Sequence, residues 1–248
     1  MFEKTIRFSA HEKFIKHNQE FLPVPIKLNI PEWFKKLEHT ILKKTVKGCM
    51  PFLDTLTSGY LLKMPVDYYL EHNVRNGKGD LDTGNVSGQE RRNDLADKIN
   101  LNYGMEKQLH GVEQLAGSPL LNKNKGLKIH KILNPWIIKT PPGYSCLFLP
   151  PMNNTDDRFS IIPGIVDTDS FSLEINFPIV LNGDKYPVIK TTIKKGTPYV
   201  QVIPFKREKW KMKITTTDNE KKKEIELFSF TEVINNYKKK IWSKKSWK

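Results

Sequence analysis

From Lys128 onward the apolar and polar positions read repeatedly as short strands: Lys128 to Leu133, Trp136 to Thr140, Tyr144 to Leu149, Phe159 to Ile162, Ser172 to Leu181, Val188 to Ile193, Tyr199 to Phe205 and Trp210 to Thr216. Turn residues fall where such strands should end, at Pro141-Pro142-Gly143, Pro150-Pro151, Asn182-Gly183 and Lys195-Gly196. Asn182-Gly183 has the form of a two-residue hairpin turn. Strands spaced by roughly 8 to 12 residues with turn signals between them predict a sandwich, jelly roll or small barrel. Gly143, Gly164 and Gly196 border these runs and are expected in turns, because glycine takes positive φ without a steric cost.

The first hundred residues predict shorter and more mixed elements. Thr5 to Phe8 reads as a strand, Pro23-Val24-Pro25 forces an extended approach, and Pro31 stands where a proline opens a short helix running to Leu37. Cys49 to Gly59 is a compact apolar segment with Gly59 placed to end it, and Tyr60 to Met64 and Asp67 to Val74 are strand candidates. Phe52, Leu53, Leu56 and Tyr60 supply the core of this part. From 75 to 100, Gly77, Gly79, Gly84 and Gly88 alternate with charged residues, which predicts a long polar loop lacking both the phosphate-loop and dinucleotide-binding glycine spacings. At the other end, Val233, Ile234, Tyr237 and Ile241 recur at helical spacing over Thr231 to Trp242. The chain thus reads as a mixed α/β part over 1–127, a β-barrel core over 128–216, and a helix with a basic tail over 217–248, a β-dominated α+β fold.

With 38% apolar and 10% aromatic residues the chain has enough side chains for a packed interior. No run approaches the roughly 18 to 20 apolar residues that cross a bilayer, and the beginning carries Glu3, Lys4 and Arg7, so a cytoplasmic location without a membrane partner is expected. Cys49 and Cys146 lack a CxxC spacing and sit in apolar stretches, as buried reduced thiols would. The net charge of +14 favours polyanions, although only six of the 41 basic residues are arginine, the side chain with the rigid fork for bidentate phosphate contacts. The charge is densest at the end, where Lys238, Lys239, Lys240, Lys244, Lys245 and Lys248 surround Trp242 and Trp247 with no acidic residue. Two readings stand for this tail: lysines and tryptophans that engage phosphates and stack on bases, or a solvated tail whose tryptophans pack back on the body.

Three segments form an ordered series: Asn134 to Tyr144 with Thr140-Pro141-Pro142-Gly143-Tyr144, then Gly164-Ile165-Val166-Asp167-Thr168-Asp169, then Lys195-Gly196-Thr197-Pro198-Tyr199-Val200-Gln201 running on to Arg207. The series resembles an uncharacterised family of bacteria and tailed phages, and Ile30 to Lys36 and Cys49 to Asp54 resemble its phage branch. The resemblance implies a phage origin, a place in the host cytoplasm or the virion, and virion proteins or further copies of the chain as partners. More distantly, the second and third segments are similar to turns of the dUTPase-like β-fold, which implies a jelly-roll or dUTPase-like barrel and gives Asp167 the role of holding a deoxyribose or orienting a water, with Asp169 beside it. The phosphate clamp of that fold is replaced here by Leu149 to Asn154, and its glycine-rich closing motif by the lysine tail. Efficient dUTP hydrolysis is therefore not expected.

The remaining chemistry is sparse. His72, His110 and His130 form no metal-ligand spacing, no serine sits in a nucleophile elbow, neither cysteine has a recognisable base, and no metal or cofactor is expected. His110, Tyr144 and Gln201 are candidate ligand contacts. The leading expectation is a phage-encoded accessory or virion-associated protein that works by binding. Its rivals are an enzyme on a nucleotide or small metabolite near Asp167, and a nucleic-acid-binding protein that uses Lys238, Lys239, Lys240, Trp242, Lys244, Lys245 and Trp247.

Overall fold

The computed structural model describes residues 4–40, 42–75, 80–81, 109–153, 156–230 and 237–248. In chain order the elements are β1 (Arg7–Ser9), α1 (Glu12–His17), β2 (Val24–Pro25), α2 (Glu32–Lys36), α3 (Met50–Thr57), β3 (Tyr60–Lys63), β4 (Tyr68–Asn73), β5 (Asp80–Leu81) and β6 (Leu109–His110). They continue with α4 (Pro119–Asn124), β7 (Ile129–Ile132), β8 (Ile137–Lys139), β9 (Tyr144–Leu149), β10 (Phe159–Ile161), β11 (Gly164–Val166), β12 (Phe177–Leu181), β13 (Val188–Ile193), β14 (Pro198–Lys206) and α5 (Asn219–Phe230). The fold is β-rich with short helices. The chain packs into two units, each discontinuous in sequence: unit one is Met1–Val24 with Gly59–Lys206, and unit two is Pro25–Ser58 with Arg207–Lys248. The expected boundary after residue 127 is not where the units divide, because β3 and β4 pair with β14 and β13.

Unit one is organised on β14, a nine-residue strand in which Tyr199, Val200, Gln201 and Val202 are buried in succession. It pairs antiparallel with β3 through Val202 and with β9 over Gln201 to Lys206. Pro204 is tolerated because β3 has ended by then, leaving one flank of β14 open for a residue with no N–H to donate. The resulting sheet runs β11-β9-β14-β3-β2, alongside sheets ordered β10-β12-β7-β6, β13-β4-β5 and β1-β8. Between them lies one core of Leu62, Met64, Leu70, Ile138, Cys146, Phe148, Ile161, Ile179, Val200 and Val202, with Phe177 packed against Phe148 and Tyr199.

None of these sheets closes on itself among the described residues, so the expected barrel is replaced by open antiparallel sheets. The reason is visible at Asn182-Gly183, which is not a two-residue hairpin: β12 pairs with β7 and β10, whereas β13 pairs with β4. The connection between them is tied elsewhere. Asn182 Nδ2 donates to the Asp157 carbonyl at 3.1 Å, Gly183 N to the Lys123 carbonyl at 3.0 Å, and Lys185 Nζ and Tyr186 Oη each to the Asp157 carboxylate at 2.6 Å. These bonds hold the Asp157 carboxyl below its usual range and hold the ammonium and phenol that donate to it above theirs. Arg158 extends the network, forking onto Asp156 and reaching Thr191 on β13 at 3.0 Å.

Other expectations shift by a few residues. The predicted strand over 172–181 begins only at Phe177, and Gly164 opens a strand instead of lying in a turn. Gly143 and Gly196 do sit in turns, at φ of 82° and 86°. Of the loop expected over 75–100, only Arg75 and the short β5 fall within the described residues. No helix among the described residues is long and apolar enough to cross a membrane.

Unit two has its own small core of Ile26, Phe34, Met50 and Leu56, in which the Phe34 and Phe52 rings stack at 5.8 Å with Trp33 edge-on to both. Pro51 occupies the first turn of α3, where its missing N–H costs no helical bond. Cys49 is exposed, against the expectation of a buried thiol, because it precedes the helix instead of facing into it. The predicted strand over 210–216 is unpaired and exposed. The terminal helix forms earlier than predicted, as α5 after Asp218, whose carboxylate accepts from Lys221 N at 2.8 Å. Of the expected 231–242 helix, 231–236 lie outside the described residues, and Tyr237–Ile241 form a π-type turn closed by Trp242 N donating to the Tyr237 carbonyl.

Gly59 and Gly143 separate two costs of a side chain. Both have positive φ, but a Cβ at Gly59 would stand 2.2 Å from the Val202 carbonyl oxygen, whereas at Gly143 it meets nothing within 4 Å. Urea unfolding should find Gly143→Ala destabilising by about 1 kcal/mol and Gly59→Ala by about 3 kcal/mol. Equal costs would mean that the close approach to β14 is unimportant.

Candidate functional site

The acidic turn after β11 meets the turn before β9 in unit one. Ser145 Oγ donates to Asp167 Oδ1 at 2.6 Å, and Gly143 N donates to Asp169 Oδ2 at 2.8 Å. Thr140 Oγ1 donates to the Tyr144 carbonyl at 3.1 Å and lies 2.7 Å from Thr168 Oγ1, which is also 3.3 Å from Cys146 Sγ. Both candidate carboxylates thus serve as acceptors that fasten one turn to the other. Cys146 is no nucleophile, since burial pushes its thiol up to about 11. Tyr144 belongs to the same pair of turns, half-buried, with Lys4 Nζ 5.5 Å from its ring centre.

The other candidates in unit one lie apart from this turn in the sheet registers. Gln201 is fully buried between Leu149 and Leu61, where its Oε1 accepts from Met152 N at 3.0 Å. Half-buried His110 stands opposite Ile129 on β6. Sequence reasoning weighed His72 and His130 only as metal ligands, and both are buried. Tyr68 Oη lies 2.7 Å from His130 Nδ1, and His72 Nε2 lies 2.7 Å from the Tyr186 carbonyl. A carbonyl only accepts, so His72 Nε2 is the donor, while Nδ1 is buried with no hydrogen-bond partner among the described residues. Tyr68, Leu70 and His72 alternate on β4, a period-two signal that could have placed the histidine inward. Among the described residues no group of three or more His, Cys, Asp or Glu converges to hold a metal ion.

Unit two contains a groove of about 650 Å³, lined by Lys35, Lys36, Lys47 and Lys238 together with Glu38, His39 and Gly48 over Leu37 and Met50. Thr45 N donates to His39 Nδ1 at 3.0 Å, which puts the proton of the neutral ring on Nε2. A Cβ at Gly48 would lie 2.3 Å from that Nε2, so glycine is what lets the imidazole lie against the chain there. Lys47 Nζ is set by the Lys35 carbonyl at 2.9 Å. Four lysines, of which Lys35 is paired with Glu32 at 2.5 Å, and one oriented imidazole N–H are suited to an anion.

The tail is partly docked. Trp242 Nε1 donates to both Asp54 oxygens, at 3.2 and 3.1 Å, and Lys245 Nζ reaches the same carboxylate at 2.6 Å. Trp242 and Lys245 are thereby engaged with Asp54 on α3. Trp247 is half-buried, whereas Lys238, Lys239, Lys240 and Lys244 remain exposed. The sequence marked the tail but not its partner, since Asp54 is 188 residues from Trp242. Compared with known proteins, the chain matches no family model and no curated protein sequence.

Two outcomes follow from this geometry. Asp54→Ala removes the acceptor shared by Trp242 and Lys245, so limited trypsin digestion should cut at Lys244 and Lys245 severalfold faster while the thermal unfolding of unit one is unchanged; equal cleavage rates would count against the docking. Burial, aided by the Lys128 charge, lowers His130 to about 4 from an ordinary 6.5. Between these values the unfolded chain binds the extra proton and the folded chain does not, so stability is full above pH 6.5 and falls as pH drops toward 4, by up to about 3 kcal/mol. His130→Gln should flatten that part of the pH profile in urea titrations.

Proposed function

We propose that this chain is a phage-encoded accessory or virion-associated protein that works by binding, and that its second unit engages a polyanion, nucleic acid foremost. The observation that carries this reading is the distribution of charge. Unit two, under a third of the chain, holds nineteen of the 41 basic residues and nine of the 27 acidic ones, a net of +10 out of +14. Four of its lysines line one groove with His39. Lysine ammonium groups attract phosphate as point charges without fixing a base, which suits binding with little sequence preference. The ordered segments from Asn134 to Arg207 support the phage origin.

Unit one is read as an opened relative of the jelly-roll or dUTPase-like arrangement, supported by the way the Thr140 to Tyr144 turn bonds to Asp167 and Asp169. In the binding reading those carboxylates are structural. The enzyme alternative would require them to face a substrate while accepting the bonds from Ser145 and Gly143 that hold the turns.

Fluorescence anisotropy with a labelled single-stranded oligonucleotide, at several salt concentrations, tests the proposal. Replacing Lys36 and Lys238 by glutamine should weaken binding and reduce the slope of log affinity against log salt by about 0.7 for each phosphate no longer neutralised. These point variants leave Trp242 and Lys245 on Asp54, which deletion of the tail would not. An unchanged slope and affinity would remove the groove from the binding surface.

A further inference from the structure

After β14 the chain runs through 207–217 with no helix, turn or strand pairing. Its sequence alternates over 209–214, where Lys209, Lys211 and Lys213 are interleaved with Trp210, Met212 and Ile214, with Glu208 preceding them on the apolar parity. In an extended chain these fall on opposite faces, one basic and one apolar. The apolar three are 87%, 84% and 86% exposed, an amphipathic strand with nothing over its apolar side.

Unit one carries the matching surface. β11 ends its sheet, so one of its sides has no neighbouring strand among the described residues. Ile165 on β11 is 64% exposed, and Leu173, seven residues after the strand ends and past the acidic turn, is 65% exposed. Asp167, Asp169 and Glu174 lie in the same stretch, which from 159 to 184 contains no lysine or arginine of its own, while Lys139 reaches Ser172 there at 2.9 Å. One surface is apolar and cationic at strand period; the other is an apolar and anionic strand edge. Trp210, Met212 and Ile214 on the one and Ile165 and Leu173 on the other are all exposed.

We propose that the 207–216 arm of one copy adds as a strand to the β11 edge of a second copy, placing Trp210, Met212 and Ile214 over Ile165 and Leu173 and the arm lysines against Glu174 and the acidic turn. A second copy fits better than a foreign partner because every chain brings both halves in equal number. Protein fits better than nucleic acid because Met212 and Ile214 offer no π-face for a base, while their period matches a sheet edge. The assembly is independent of anion binding at the groove.

Sedimentation velocity of the full chain over a range of concentrations tests this, with no nucleic acid present. The expected result is a concentration-dependent rise from the 28.8 kDa monomer to at least twice that mass, weakened by salt. Trp210→Glu with Met212→Glu should hold the protein monomeric while circular dichroism and the melting of unit one stay as in the parent. Lys211→Glu with Lys213→Glu should also be monomeric, as should Glu174→Lys, and an equimolar mixture of these two proteins should recover the larger mass because each then offers the charge the other lacks. A parent that stays monomeric at every concentration, association that survives all three variants, failure of the mixture to assemble, or association only after DNA is added would each overturn the proposal.

Discussion

Everything in unit one depends on β14 being paired on both flanks at once. Its partners come from opposite sides of the long polar stretch, β3 from residues 60–63 and β9 from residues 144–149. Neither pairing is local, so the loop-closure entropy of both must be overcome by one buried strand. The composition of β14 fits that demand: three buried apolar side chains, a buried Gln201 whose oxygen is bonded, and prolines confined to its first residue, Pro198, and to Pro204 past the end of β3. The acidic turn and the tied connection over 182–187 then position what the central sheet leaves at its margins.

The segregation of charge follows from the same economy of burial. Unit one consumes its polar groups internally, as in the Asp156, Asp157 and Arg158 network. Unit two has a core of only a few apolar side chains and leaves its lysines exposed, where the positive field is screened by salt. A surface of that kind favours capture of an extended anion over selection of one shape.

Element identity was legible where period and punctuation agreed. Val188 to Ile193 and Tyr144 to Leu149 form strands with the expected ends, and Gly143 and Gly196 take the left-handed turns that flanking strands require. Partner choice was not legible. Asn182-Gly183 carries a hairpin signal that the network around Asp157 overrides, an interaction 25 residues away that no local window contains. The same limit applies to the candidate sites. The sequence pointed to Asp167 and Asp169 but not to the Ser145 and Gly143 donors that bond them, and it located the lysine tail while the groove residues Lys35 and Lys36 lay in a segment read only for its helix and Lys47 lay between the segments read.

The two cysteines differ in a way that makes the molecule open to chemical labelling. Cys146 is sealed in the core with its thiol raised by burial, so alkylating reagents at neutral pH meet a protonated, inaccessible sulfur. Cys49 is exposed, and its two chain neighbours, Gly48 and Met50, both line the cationic groove. A maleimide dye therefore attaches at one position in the native chain, with no cysteine needing to be added or removed. Its emission reports directly on what enters the space beside His39.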